Sequence, residues 1–590
     1  MREIDLAQLA IRGWKTDRDP VMDWDASYAP NLENLEAHRG ILRMLKGYER
    51  APVSASITGA AGAYTGIIEA TVADLTSGVL YYGMIYCQAG VIRVDEITTG
   101  TSDDSSATGN AAYTLPALTG TELVAAGDDP NTYHESAGAF KNHVYFCTGS
   151  KNYRVKRDTT WQIEEVDPGG GGTKPATNMI PRIWLGRLWL GGNPAARRTL
   201  IYSESDDPED FPAANAIVLQ SPGGSFSSME VWERDMFVFL EDNIACIPFA
   251  LEPADYHELD MATGWGCIAP YTLRRCGMHG LVCLSAGGVK QWPGQATLSG
   301  AIDESLAEIN ATFQAKHRLR TAYGFYNSIN DTYNLLITKG DETYNTTPLY
   351  VNDEWWVWSF ERQQWYKRDV WPPISCANVI NFGPGGKRLI AGSYGISGGY
   401  LWYFGNENGA GAERHDGTIT SVGSTTVMND TAAAFPTAGD GLDGMPIYIV
   451  SGTAAGQRRA IDQNTATQIT VEVATSPAWV EGDGYVVCAQ RGRFVSPWLH
   501  MGDPNRQKQF QNLYMDLNQD AIDKNYELRL YRDGTTTAAK TIRGTFVDQN
   551  CVIALDFRAK KMKLELDVIS NDDQPGIRSM RLNVGKGTYA

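Results

Sequence analysis

Short runs of β-branched and aromatic residues, each closed by Gly, Asn, Asp or Pro, recur along most of this chain, and no other feature constrains its fold as much. Val79-Leu80-Tyr81-Tyr82, Val144-Tyr145-Phe146, Ile183-Trp184-Leu185-Gly186-Arg187-Leu188-Trp189-Leu190 and Met236-Phe237-Val238-Phe239-Leu240 begin the series. Gly280-Leu281-Val282-Cys283-Leu284, Thr332-Tyr333-Asn334-Leu335-Leu336-Ile337 and Gly399-Tyr400-Leu401-Trp402-Tyr403-Phe404 continue it. Such residues suit a pleated, half-buried surface, and turn formers at both ends keep each run too short for a helix. With 60 Gly and 26 Pro to supply the turns, the chain is expected to be all-β.

The spacing of these runs is close to that of propeller blades, four-stranded sheets of ~40 to 50 residues that pack face to face around an axis. A β-propeller is therefore expected over 51–413, in preference to a set of sandwiches, although neither a WD-repeat nor a kelch signature recurs. Residues 1–50 read as an arm with one or two short helices. Pro30-Asn31-Leu32-Glu33-Asn34-Leu35-Glu36-Ala37 and Ile41-Leu42-Arg43-Met44-Leu45 are the densest helix-compatible stretch, and Asp17, Asp19, Pro20, Asp23 and Asp25 break up what precedes it. The arm either covers a sheet edge or docks a partner. Residues 414–490, rich in Thr, Ala, Gly and Val, read as a small β domain inserted in a loop. Residues 491–590 return to long alternating strands such as Tyr526-Glu527-Leu528-Arg529-Leu530-Tyr531, expected as a sandwich-like C-terminal β unit that completes the propeller or platform.

At 590 residues, the chain has 51 Lys and Arg against 69 Asp and Glu, a net charge of -18. Nucleic-acid affinity comes largely from neutralising phosphates, and no dense basic stripe exists for it. The longest basic cluster, Arg558-Ala559-Lys560-Lys561-Met562-Lys563, reads as a solvated strand or turn. The nine cysteines are scattered, with no C-x-x-C, so neither a disulfide framework nor a zinc site is expected. The opening Met1-Arg2-Glu3-Ile4-Asp5-Leu6 carries acids where a secretory signal needs an apolar core, and no apolar run approaches the ~20 residues of a membrane span. The expectation is a chain made in a cytosol and kept there until it is assembled.

Strings that could carry chemistry fit structural uses better. Gly395-Ile396-Ser397-Gly398-Gly399 matches the G-x-S-x-G of a nucleophile elbow, but a strand follows where the elbow needs a helix. Gly383-Pro384-Gly385-Gly386-Lys387-Arg388 lacks the Ser or Thr of a phosphate loop and reads as a hairpin turn. His134-Glu135 and His257-Glu258 start like zinc-helix motifs, but Gly138 and Met261 stand where the second His belongs. The acidic stretch from Ser203 to Phe211 lacks the alternate-residue spacing of a calcium loop and reads as a turn bent at Pro208, with Asp and Ser capping the backbone. Trp355, Trp356, Trp358, Trp365 and Tyr366 suit stacking between neighbouring sheets better than a sugar platform. No catalytic, cofactor-binding or metal-binding residue is singled out, and no enzymatic activity is expected.

In order, several of these strings resemble a family. Gly186-Arg187-Leu188-Trp189 followed by Leu200-Ile201-Tyr202-Ser203-Glu204-Ser205-Asp206-Asp207-Pro208-Glu209-Asp210-Phe211 is similar to a stretch common in tail proteins of tailed bacteriophages. Trp265-Gly266-Cys267-Ile268-Ala269-Pro270, Gly280 to Val289 and Leu298-Ser299-Gly300-Ala301-Ile302-Asp303 follow in the order of the propeller of tail nozzle, or tail tubular, proteins of short-tailed phages. Ser451-Gly452-Thr453-Ala454-Ala455-Gly456-Gln457-Arg458 is similar to a small β decoration of phage structural proteins. The resemblance implies a virion tail component assembled in the host cytoplasm. It implies a homo-oligomeric ring, hexameric in this family, that sits below the portal and adaptor, retains the genome and conducts DNA without sequence-specific binding. It also implies side surfaces for tail fibres or spikes. An acidic wall suits a conduit, because attraction to phosphate would retard transit. The competing reading is a propeller-type receptor-binding or glycan-degrading tail protein. The sialidase box Ser-x-Asp-x-Gly-x-x-Trp does not recur in this chain, which favours the conduit.

Overall fold

The computed structural model describes residues 2–5, 31–33, 35–38, 41–44, 48–50, 64–88, 90–96, 121–124, 133–148, 151–166, 175, 180–261, 264–294, 296–301, 322–338, 352, 354–368, 374–382, 386–393, 400–404, 415–437, 441–487, 490–499, 506–570 and 576–585. Among them the protein is all-β, and no helix reaches seven residues.

Most strands belong to antiparallel meanders of four. Sheet 1 holds Tyr64–Ala73, Leu80–Gln88, Val91–Glu96 and Thr121–Val124, and sheet 2 holds Glu135–Phe140, His143–Cys147, Asn152–Asp158 and Thr160–Glu165. Sheet 3 holds Ile180–Trp184, Arg187–Gly191, Thr199–Tyr202 and Ala216–Val218, and sheet 4 holds Phe226–Trp232, Asp235–Leu240, Ile244–Ile247 and Leu259–Asp260. Sheet 5 is Arg274–Arg275, Leu281–Ser285, Gly288–Trp292 and Ala296–Thr297; sheet 6 is Tyr323–Asn327, Thr332–Ile337, Glu354–Ser359 and Gln364–Arg368. Sheet 7 contains Ile374–Asn381, Lys387–Ser393 and Leu401–Phe404, and takes its fourth strand, Tyr48–Arg50, from far upstream. The hairpins follow from local chemistry. Lys141 and Asn142, like Leu185 and Gly186, have positive φ at two-residue turns, whose twist matches that of the flanking strands.

The first strand of each sheet lies against the first strand of the next, and that of sheet 7 lies against that of sheet 1. Backbones approach closely at two of these seams. A Cβ on Gly66 would stand 2.5 Å from the Cβ of His134 in the run into sheet 2, and one on Gly392 would stand 2.4 Å from the Cβ of Tyr64. Only glycine fits there without displacing a neighbour. Aromatic side chains fill the gaps between sheets. Trp355 of sheet 6 meets Phe404 of sheet 7 edge-on at 4.9 Å, and Trp189 of sheet 3 lies 5.4 Å from Tyr256, which stands between the third and fourth strands of sheet 4.

The N-terminal segment departs from the sequence expectation. Instead of short helices, its described residues form strands at Arg2–Asp5, Asn31–Glu33, Leu35–His38, Ile41–Met44 and Tyr48–Arg50. Leu35 pairs with Met44 and Ala37 with Leu42 across a hairpin, which puts the buried Leu35, Leu42 and Met44 on one apolar side. Helix propensity yields because the hairpin finds ladder partners at residues 576–577 and a core to cover.

Asn31–Glu33 pairs with both Gln364–Arg368 and Gln490–Val495, so sheet 6 runs on through Gln490–Val495, Met562–Ser570, Asn525–Arg532 and Lys540–Thr545. A second sheet joins the 35–44 hairpin to Gly576–Gly585, Lys508–Leu517 and Asn550–Ala559. Phe510, Leu513 and Leu582 of this sheet share an apolar core with Leu528, Leu564 and Leu566 of the other. Between sheet 7 and these strands in sequence, residues 415–487 form a seven-stranded sheet around Ile447, Ile461, Ile469, Trp479 and Val487.

Candidate functional site

The polar residues of the first strands converge where those strands converge. Glu135 opens the first strand of sheet 2, Arg182 lies in that of sheet 3, Glu230 in that of sheet 4 and Arg274 in that of sheet 5. Glu135 Oε1 accepts from Arg182 Nη2 and Arg274 Nη1, both at 3.0 Å, and its Oε2 accepts from Arg274 Nη2 at 3.2 Å. Arg182 Nε donates to Glu230 Oε2 at 2.9 Å, and Glu230 Oε1 accepts from the Val231 amide. Tyr323, from sheet 6, lies beneath the Arg274 guanidinium. Tyr133 packs on Tyr271 and Tyr323, and its hydroxyl donates to the Ser375 carbonyl of sheet 7 at 3.0 Å. Asn378 of sheet 7 donates to the Ile67 carbonyl of sheet 1, so all seven first strands are linked.

Two guanidiniums and two carboxylates balance in this cluster, and burial sets its energetics. Burial disfavours the charge on Arg182, but Glu230 and Glu135 outweigh it and raise the pKa. Arg274 follows the same pattern, with Glu135 and then Tyr323 offsetting burial. The Tyr133 hydroxyl, fully buried, is pushed well above its ordinary value. Every oxygen of Glu135 and Glu230 already has a donor, so the two carboxylates serve to hold the arginines and the backbone in place. The cluster fills the place where the first strands meet.

The strings weighed in the sequence lie elsewhere, apart from Glu135. His134 is buried with Nδ1 3.1 Å from Thr65 Oγ1, and His257 Nδ1 meets the Asp255 carbonyl. Glu258 accepts from the Gln220 and Ser221 amides. Gly386, at positive φ, closes the hairpin between residues 374–381 and 387–393, while 383–385 and 394–399, with the G-x-S-x-G string, lie outside the described residues. The acidic stretch is a turn: Ser203 Oγ accepts from the Leu188 amide, Asp207 accepts from the Glu209 amide, and Arg154 grips Glu209. The Arg558–Lys563 stretch is the turn that leads from Asn550–Ala559 in one C-terminal sheet to Met562–Ser570 in the other, and Lys561 and Lys563 lie over Trp498. Among the described residues no group of His, Cys, Asp and Glu could hold a metal ion, and no helix is long and apolar enough to cross a membrane.

A second ionic network lines a crevice between the 415–487 sheet and the C-terminal strands. Arg493 makes a two-pronged contact with Asp567 at 2.7 and 2.9 Å, Arg529 bonds Glu565 and Glu527, and Arg543 reaches Glu527 and the Ala455 carbonyl. Sequence reading singled out neither network. The first joins residues far apart in the chain, and in the second Glu527 and Arg529, like Glu565 and Asp567, alternate with apolar residues along one strand, which marks a polar side without naming its partners.

No family model matches the chain, and no curated protein matches its sequence. Among solved structures the chain is similar to an exo-beta-1,3-galactanase from Phanerochaete chrysosporium, at 9% identity over 92% of this chain and 100% of that one, with a TM-score of 0.23. It is similar to PorZ, a bacterial surface component of the type-IX secretion system of Porphyromonas gingivalis, at 10% identity over 68% of this chain and 44% of that one, with a TM-score of 0.33. A structure named glycoside hydrolase matches at 8% identity over 89% of this chain and 100% of that one, with a TM-score of 0.21. Two of the three are named as enzymes, which stands against the expectation of a chain without enzymatic activity. The physical reason is that the expectation rested on linear strings alone, whereas a fold can bring groups together from distant strands. At such identities and TM-scores the likenesses assign no activity or substrate.

Proposed function

We propose that the seven sheets are the blades of a β-propeller, that the two C-terminal sheets form a β-sandwich beside it, and that the protein is a wall subunit of a phage tail nozzle. The cyclic contact of first strands and the completion of sheet 7 by Tyr48–Arg50 support the propeller, because a ring closed by an N-terminal strand leaves no open seam. One observation carries the functional reading. The middle of the seven-sheet ring is occupied by Arg182, Glu135, Glu230, Arg274 and the Tyr133 group, so duplex DNA can pass only between several copies of the chain. Repeated heterologous contacts around an axis build such a passage. A net charge of -18 suits a wall past which phosphates must slide.

In this reading the copies form a ring, hexameric in the family the sequence resembles, below the adaptor. The ring retains DNA before ejection and conducts it afterwards. Mixing the purified chain with the portal and adaptor proteins of its phage tests this by native mass measurement. Rings of several copies bound to the adaptor are expected. A chain that stays monomeric and releases reducing sugar from a host polysaccharide would overturn the reading.

A further inference from the structure

The longest basic run of the sequence gains neighbours in the fold that no linear string contains. The Lys560 and Lys561 amides, in the turn between the two C-terminal sheets, donate to Asp533 Oδ1 at 2.8 and 3.1 Å. These bonds set the turn against the hairpin end at Arg532, Asp533 and Gly534, where a Cβ on Gly534 would stand 3.7 Å from Lys561 Nζ. Arg532 pairs with Met562 in the ladder and Tyr531 with Lys563, whose ammonium lies 4.3 Å over the Tyr531 ring. The ammoniums of Lys561 and Lys563 also lie 5.1 and 5.5 Å from the Trp498 ring, next to Leu499, which exchanges backbone hydrogen bonds with Met562. Arg532, Lys560, Lys561 and Lys563 therefore share one continuous patch.

Arg532 and Lys560 are exposed and the other two partly so, and none of the four makes an ion pair among the described residues. The carboxylates that neighbour them along the strands are engaged elsewhere. Glu565 is held by Arg493, Arg529 and Tyr531, and Asp556, two residues from Arg558, accepts from Gln509. Four cations thus stand against one local carboxylate, Asp533, in a chain that has 69 acidic side chains. Crowded like charges repel, and a bound anion relieves that cost. Because the four are spread over adjoining turns, a polyanion that touches several at once also releases its condensed counterions, a gain that a single small anion lacks.

We infer that this patch holds the phosphate backbone of duplex DNA without reading its sequence. The choice of DNA rests on the tail reading, in which DNA is the polyanion that the wall meets. The rest of the chain repels phosphate, but at about 0.1 M salt charges more than about 10 Å away are largely screened, so a phosphate at the patch responds first to the four cations. Contacts of this kind position a duplex and carry no sequence information. The inference turns this end of the C-terminal unit toward the passage, where one such patch per copy would retain DNA that the remaining acidic wall lets slide.

The test uses the full-length chain alone with a fluorescent DNA duplex, read by anisotropy at salt from about 0.1 to about 0.4 M. The logarithm of affinity should fall against the logarithm of salt with a slope of about -3, and duplexes of unrelated sequence should bind alike. Lys560→Gln with Lys561→Gln and Lys563→Gln should weaken binding about tenfold and flatten the slope to about -1. Arg197→Gln with Arg234→Gln and Arg275→Gln removes the same charge from exposed, scattered positions of the seven-sheet ring and should change affinity less than about twofold. No binding at about 0.1 M salt, or an equal loss in that control, would overturn the inference. So would a labelled poly-glutamate chain that binds as tightly as DNA, because the occupant would then be an acidic protein. The assay needs no ring. A chain that binds DNA but stays monomeric with portal and adaptor would sink the tail reading, whereas rings built from a chain that ignores DNA would sink only this site.

Discussion

The protein carries two arginine–carboxylate networks of similar composition in different surroundings. Around Glu135 the side chains of Arg182 and Glu135 are each 7% exposed and tie the first strands of the seven-sheet ring together. Around Glu565 the network lies on one sheet face, and its outermost member, Arg543, is 39% exposed where it reaches across to the 415–487 sheet. Burial makes the first network a fixed joint, since a charge left alone there has no water to turn to. In the second the carboxylates are also buried, but Arg529 and Arg543 are 22% and 39% exposed, so its arginines can trade protein partners for solvent.

Removing Glu135 should separate the two most clearly. Glu135→Ala leaves Arg274 without its carboxylate and Arg182 with Glu230 alone, and should cost about 3–5 kcal/mol in urea unfolding. A cost below about 1 kcal/mol would mean that water reaches the middle of the ring and would erase the contrast. Glu565→Ala removes the acceptor shared by Arg529, Arg493 and Tyr531, and should cost about 1–3 kcal/mol by the same measurement. Arg543→Ala should cost less than about 1 kcal/mol, and the difference should vanish near 1 M salt, where exposed pairs are screened.

A pH-dependent effect concerns the seam between sheet 7 and the 415–487 sheet, where the Tyr400 hydroxyl bonds Asp443. Burial, then the charges of Asp443 and Asp462, push Glu472 up to about 7 from 4.5. Between those values the folded chain holds a proton that the unfolded chain has released, so stability falls as pH rises and levels off above about 7. Glu472→Gln should flatten that slope in thermal unfolding scans from pH 4.5 to 7.5. An unchanged slope would assign it to other groups.

Much of the strand content was legible because it is local. Alternation and turn formers mark Met236 to Leu240 and Thr332 to Ile337 as strands wherever they finally pack. The N-terminal hairpin was misread for the opposite reason. Leu35, Ala37, Leu42 and Met44 suit a helix or a strand, and only the ladder with residues 576–577, distant in sequence, decides between them. The pairing of Tyr48–Arg50 with Leu401–Phe404 is equally remote. The cluster around Glu135 was hidden because each member occurs once per sheet, so no linear string contains two of them. His134-Glu135 did draw attention, as a metal motif, whereas its Glu serves an arginine pair.

A density map of the chain assembled with its portal and adaptor tests the central claim most directly. The account predicts several copies around a bore wide enough for duplex DNA, with continuous density through the middle of each seven-sheet ring at Arg182, Glu135, Glu230 and Arg274. A solitary copy, or an open passage through the centre of a single chain past Glu135 and Glu230, would contradict it.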